Sequence, residues 1–367
     1  MKRMLMVLLP LILHASAPDT SRTSARSADG VKRQAAADTV YSQNAEANEL
    51  FLKAREYLSK SDPRTPGGKL VNAREAIKLY ERAVNKDPKF ALAYVELSRA
   101  WLQLSYSDPD GLSNKEVLPP AKAALLKALA MDNNSAEAHR ALAGLYYNIE
   151  YDWEKAEREY KLVLHLAPDS AAGHLGYAAY LASMGRFDEA LAEAKRADEL
   201  TPSTAADIVL ARIYYSMRRY EEAARYCKES LKKGENVLGH FFLGFVYGAQ
   251  QKFDEAIAEF KTAAGFSNNG GAWAGLAYGY AVAGNKGEAL KILDELKATR
   301  KRGRVVPYRL AAVYLALGDK DQALEWLRKD YEERGNWMNQ LKVDPVMDPL
   351  RSDPRFKELM RRMRFKG

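Results

Sequence analysis

An alanine recurs inside an amphipathic pattern along most of this chain, at Ala76, Ala121, Ala156, Ala190, Ala223, Ala256, Ala289 and Ala323. The first interval is 45 residues and those that follow are 35, 34, 33, 33, 33 and 34. A period of about 34 residues is that of a helix–turn–helix unit, which cannot bury its apolar face alone and must stack on copies of itself. The 367 residues therefore need not divide into separate globular domains, because each unit buries surface only against its neighbours.

The fourth unit shows the local logic. Leu181-Ala182-Ser183-Met184-Gly185-Arg186-Phe187-Asp188-Glu189-Ala190 joins two amphipathic helices through a turn in which Gly185 adopts a left-handed conformation at little cost. Twelve residues before the later alanines stands a second small residue, Ala178, Ala211, Gly244, Ala277 or Ala311, which lets the paired helices approach closely. Pro88, Pro168 and Pro202 fall twelve residues after their alanines and stop the second helix. Two stretches rich in Gly and Pro, Ser61 to Lys69 and Ser105 to Pro120, read as insertions at hairpin tips.

This pattern resembles the tetratricopeptide repeat family over residues 44–334. The resemblance implies an all-α, right-handed superhelical solenoid of about eight helical hairpins, with first helices lining a concave face. Three stretches resemble more particularly the repeat region at the C-terminal end of bacterial winged-helix regulators and serine/threonine kinases. They are Asn48 to Lys53, Tyr151 to Ala156, and the run Leu341-Lys342-Val343-Asp344-Pro345-Val346-Met347-Asp348-Pro349-Leu350-Arg351-Ser352-Asp353-Pro354-Arg355-Phe356. Such regions are taken to be sensing or partner-binding parts, and no effector domain precedes this one. The segment 335–367 reads as a cap: Asp353 and Pro354 start a helix whose Phe356, Leu359 and Met363 cover the last apolar face.

Given the concave face, helical spacing identifies its inner stripe. The candidate peptide-binding residues are Arg99, Arg140, Tyr147, Arg212, Tyr215, Phe241, Phe245, Tyr278 and Tyr308. Arginine and the aromatics combine large contact area with polar tips, and an acidic and apolar polypeptide is the complementary ligand. The family's lysine and asparagine clamp for a peptide carboxylate is unmatched, since Val95, Arg99, Arg140 and Gly144 stand in its places.

Compartment is read from the N-terminus. Lys2 and Arg3 precede an apolar run from Met4 to Leu13 and then Ala15-Ser16-Ala17, the order of a signal peptide over residues 1–17. Pro18 disfavours cleavage after Ala17 and leaves Ala15 as the alternative. Residues 18–43 read as a flexible linker, and a periplasmic or secreted location follows, with membrane contact only through the signal.

No nucleotide loop, paired-cysteine site or His-Glu-x-x-His run is present. Cys227 is the only cysteine and reads as a small buried apolar residue. His139, His174 and His240 occupy equivalent places, but neighbouring helices pack about 8–10 Å apart and metal–nitrogen bonds span about 2 Å, so packed histidines are expected. Basic clusters at Lys297, Arg300, Lys301, Arg302 and Arg304, and at Arg361, Arg362, Arg364 and Lys366, read as a solvated loop and tail, not as a nucleic-acid surface. The net charge of +8 favours encounters with acidic partners. A scaffold without enzyme activity, metal or cofactor is the expectation, with an accessory sensor of a small ligand as the alternative.

Overall fold

A computed structural model of the protein describes residues 41–59, 68–107, 112–266, 270–298 and 306–365. The signal-type N-terminus, nearly all of the linker, most of the first tip insertion, Arg300, Lys301, Arg302, Arg304 and Lys366 lie outside the described residues.

Among the described residues, sixteen helices form eight hairpins in chain order. The first four hairpins are α1 (Ala45–Ser59) with α2 (Gly68–Lys86), α3 (Ala91–Ser107) with α4 (Asn114–Met131), α5 (Ala136–Leu145) with α6 (Trp153–Leu166), and α7 (Ala171–Ser183) with α8 (Phe187–Leu200). The last four are α9 (Thr204–Ser216) with α10 (Tyr220–Lys233), α11 (Val237–Ala249) with α12 (Phe253–Phe266), α13 (Gly270–Val282) with α14 (Lys286–Ala298), and α15 (Pro307–Ala316) with α16 (Lys320–Glu332). A final helix, α17 (Pro354–Arg362), follows two short 3₁₀ turns, and no strand occurs among the described residues. The architecture is the all-α solenoid that the repeat period implies.

Helix boundaries follow from capping chemistry. Ser135, Ser170, Ser203 and Asn236 each stand before a first helix and accept a hydrogen bond from the backbone N–H three residues on. From the third hairpin to the eighth, the turn into the second helix passes through one left-handed residue: Tyr151, Gly185, Arg218, Gln251, Gly284 or Gly318. Glycine adopts that conformation freely, and a side chain there costs roughly 1–2 kcal/mol, so Tyr151, Arg218 and Gln251 are held by their surroundings.

All eight recurring alanines are fully buried, as are Ala178 and Ala311 across from two of them. The tightest packing surrounds Phe260 of α12. A Cβ placed on Gly244, Gly275 or Gly279 would lie 2.8, 2.8 or 2.9 Å from its ring, so three glycines of two first helices form its socket. Successive first helices from α3 onward approach one another more closely than successive second helices do, which puts the first helices on the inside of the curve.

Two features depart from the sequence expectation. Most of the stretch Ser105 to Pro120 is helical, and Pro119 and Pro120 lie inside α4. The helix starts at Ser113, whose backbone N–H donates to Glu116 Oε2 at 2.7 Å, and this capping box outweighs the prolines as a boundary signal. At the other departure, α5 runs into a π turn over Tyr146–Glu150, which the regular repeat period does not announce.

The socket around Phe260 yields a prediction. Gly275→Ala gains helix propensity but drives a methyl into the rings of Phe260 and Phe241, and should destabilise the protein by about 1–3 kcal/mol in denaturant unfolding. Equal or raised stability would show that the socket is loose.

Candidate functional site in the inner groove

The inner groove is filled by the chain's own C-terminal segment. Leaving α16, the backbone turns through Arg334 in the left-handed conformation, and the Gly335 carbonyl accepts a hydrogen bond from the Tyr151 hydroxyl at 2.8 Å. The segment then runs along the first helices in two 3₁₀ turns, Met338–Gln340 and Pro345–Leu350. Asp344 caps the second turn by accepting the Val346 N–H at 3.0 Å, and Pro345 at its first position suits the fixed φ of proline.

Its anchors are few and specific. Trp337 lies under the Arg309 guanidinium, 4.0 Å from the ring centroid, with Arg212 at 5.5 Å and the Phe242 ring at 6.2 Å. The Asn339 amide donates to Asn148 Oδ1 at 2.9 Å. Gln340 Nε2 donates to Ser183 Oγ at 2.7 Å and to the Tyr147 hydroxyl at 3.2 Å. The Tyr308 hydroxyl donates to Asp344 Oδ2 at 2.8 Å, and Arg218 pairs with Asp348 at 2.7 Å. Between these polar anchors Met338, Leu341, Met347 and Leu350 are fully buried.

The end of the segment ties the array back onto itself. Asp353 caps α17, and Phe356, Leu359 and Met363 are buried as a cap requires. Arg355 of α17 pairs with Asp321 of α16 at 2.8 Å, while Trp153 at the start of α6 donates its indole N–H to the Met363 carbonyl at 2.7 Å. The C-terminal run thus covers the last hairpin and also bridges from the eighth hairpin to the third, a connection that a terminal cap alone would not make.

Seven of the sequence-chosen residues gather around this segment: Tyr147, Arg212, Tyr215, Phe241, Phe245, Tyr278 and Tyr308. Tyr147 and Tyr308 bond to it directly. Phe241 and Phe245 face the Arg309 guanidinium at 4.9 and 5.1 Å, and the Tyr278 ring lies tilted against Phe245 at 4.9 Å. Burial raises the phenol pKa values of Tyr215, Tyr278 and Tyr308, and the Asp344 carboxylate raises them further. Arg99 and Arg140 stand apart from the segment. Arg99 pairs with Glu96 at 2.8 Å and with Glu137 at 2.5 Å, and Arg140 is buried with Glu137 at 3.4 Å.

Sequence reasoning missed Arg309, Trp337, Gln340 and Asp344. Arg309 sits one position off the inner stripe, next to Tyr308, so helical spacing alone does not select it. The partners on the C-terminal segment carry no helical period. Their available signal is the Asp-Pro pair at Asp344-Pro345, which marks a capped short turn.

Three histidines staple hairpins. Nδ1 of His139, His174 and His240 lies 2.6, 2.5 and 2.6 Å from Glu159, Glu193 and Glu259 on the partner helix of the same hairpin. Cys227 is fully buried, and burial pushes its thiol pKa up, which makes it a packing residue.

Models of the tetratricopeptide repeat match residues 152–205, 208–241 and 308–329. Those three stretches are similar to tetratricopeptide repeats. No curated protein matches the chain. Among solved structures, PilW, a type IV pilus biogenesis factor, is similar at 19% identity and a TM-score of 0.48, over 59% of this chain and 92% of that one. A tetratricopeptide repeat protein from Parabacteroides merdae is similar at 14% identity and 0.46, over 82% and 98%. TTC0263 from Thermus thermophilus is similar at 21% and 0.42, over 51% and 90%. Among the described residues no helix is long and apolar enough to cross a membrane.

Two measurements test the site. Tyr308→Phe strips the buried Asp344 of a hydroxyl donor and should cost about 1–3 kcal/mol, with faster hydrogen exchange confined first to residues 338–350. Unchanged exchange there would detach Asp344 from the anchoring. At His240, burial opposes the charged form, but hydrogen bonds and charges of Glu259 and Glu235 outweigh it and raise the pKa. A raised folded value gives stability that is complete below the ordinary histidine pKa and is lost as pH rises through the folded one. His240→Gln should therefore cost more stability at about pH 5.5 than at about pH 8.5. A cost independent of pH would show that the imidazolium contributes nothing.

Proposed function

We propose that the protein is a non-enzymatic scaffold that holds a polypeptide partner on the inner face of its repeats, in the cell envelope to which a signal-type N-terminus directs it. The observation that carries this reading is that the groove already holds a length of polypeptide, Trp337–Leu350, through an aromatic anchor, amide contacts and two aspartates. A surface that binds one extended acidic and apolar segment has the chemistry to bind another. Tetratricopeptide repeats and an arginine-bearing inner face support the same reading, and an acidic partner is the complementary one.

The reading is tested by panning a random peptide library against the full chain. Acidic, aromatic-containing sequences should be enriched, and Arg212→Glu should weaken their binding about tenfold or more by fluorescence anisotropy, which corresponds to about 1.4 kcal/mol. Enrichment of basic sequences, or binding indifferent to Arg212→Glu, would sink it.

A further inference from the structure

The segment Trp337–Leu350 neutralises its groove incompletely. Arg309 is 5% exposed and Arg212 is partly buried, yet among the described residues no carboxylate lies within ion-pair distance of either guanidinium. Both rest on aromatic rings instead, Arg309 on Trp337 and Arg212 on Phe242 and Trp337. Asp344 is the acid whose charge reaches both, and its own oxygens are committed to the Tyr308 hydroxyl and the Val346 N–H. Two cations beside one already engaged carboxylate are less well compensated than a matched set, because a ring face returns less to a desolvated cation than a direct anionic partner does. The segment therefore fills the groove without satisfying it.

Its attachment also has the form of a bound peptide rather than of a further repeat. The segment has no helix longer than a short 3₁₀ turn between Gly335 and Arg351, and its polar anchors are side-chain contacts spread over hairpins three, four, five and eight. The contacts between paired helices within each hairpin are separate from these anchors.

We infer that Trp337–Leu350 is a resident ligand that occupies the groove in place of a partner polypeptide. The partner presents an aromatic side chain at the Arg309 and Arg212 station together with more than one carboxylate. The inference rests on the scaffold reading and adds to it the class of partner and the way access is regulated. Binding is an exchange: the incoming carboxylates meet both guanidiniums, the segment leaves, and the array stays folded. Because the segment is covalently attached, its effective concentration is high, and a weak or uncharged peptide does not compete. Selectivity for acidic partners follows from the resident's presence.

The experiment uses the full chain and a fluorescein-labelled synthetic peptide of residues 337–350 with Gln340→Glu, which adds a carboxylate beside Tyr147, a residue that lies in the field of Arg212. Hydrogen exchange of the chain is followed with and without the peptide. Binding accompanied by loss of protection at residues 338–350, with α7, α9 and α15 still protected, is the expected result. The variant Trp337→Ala, which loosens the resident while leaving the groove intact, should bind the peptide about tenfold more tightly than the parent chain, since the open fraction rises. A peptide with Asp344→Lys and Asp348→Lys should bind neither. Binding with residues 338–350 still fully protected would overturn the exchange and leave the scaffold reading standing. Failure of the peptide to bind both the parent chain and Trp337→Ala would overturn both.

Discussion

Everything in this molecule depends on how closely the two helices of a hairpin can cross. The crossing is set by an alanine on the second helix against a small residue on the first, as at Ala190 and Ala178 or Ala323 and Ala311, all of them fully buried. A larger side chain at either place would hold the helices apart, open voids along the rest of the contact and change the angle at which the next hairpin stacks. The same closeness between successive first helices produces the curvature, and the curvature creates a groove.

That groove is lined by side chains with conflicting demands. Phe241, Phe245 and Tyr278 need to leave water, while Arg212 and Arg309 need anionic or aromatic company. The C-terminal segment answers most of this at once. Met338, Leu341, Met347 and Leu350 bury apolar surface, Trp337 gives the two guanidiniums a π face, and Asp344 accepts from Tyr308. What it does not supply is a second carboxylate. Both guanidiniums therefore rest on ring faces, with no carboxylate at ion-pair distance among the described residues.

The outer layer follows a simpler rule. Each of three hairpins carries a histidine on the first helix that reaches a glutamate on the second, and at His174 the other ring nitrogen meets the Pro168 carbonyl at 2.8 Å. These pairs repeat because the hairpin geometry repeats, and they account for equivalent histidines without any shared ion. Asp344-Pro345 and Asp353-Pro354 of the C-terminal run likewise repeat one device, an aspartate capping a turn or helix that proline opens.

The sequence by itself determined the hairpins: the alanine period, the glycine at Gly185, the prolines after second helices and the serines before first helices are local choices that act within one or two turns of helix. It also marked the aromatic and arginine stripe, because helical spacing relates residues on one helix to the face they share. Only the tertiary structure decided what covers that stripe. Trp337 meets Arg309 across 28 residues and Asp344 meets Tyr308 across 36, and Gln340 meets Tyr147 and Ser183 across 193 and 157 residues of chain. No periodicity links such positions, since the path of an irregular segment is fixed by the accumulated curvature of eight hairpins and not by any local propensity.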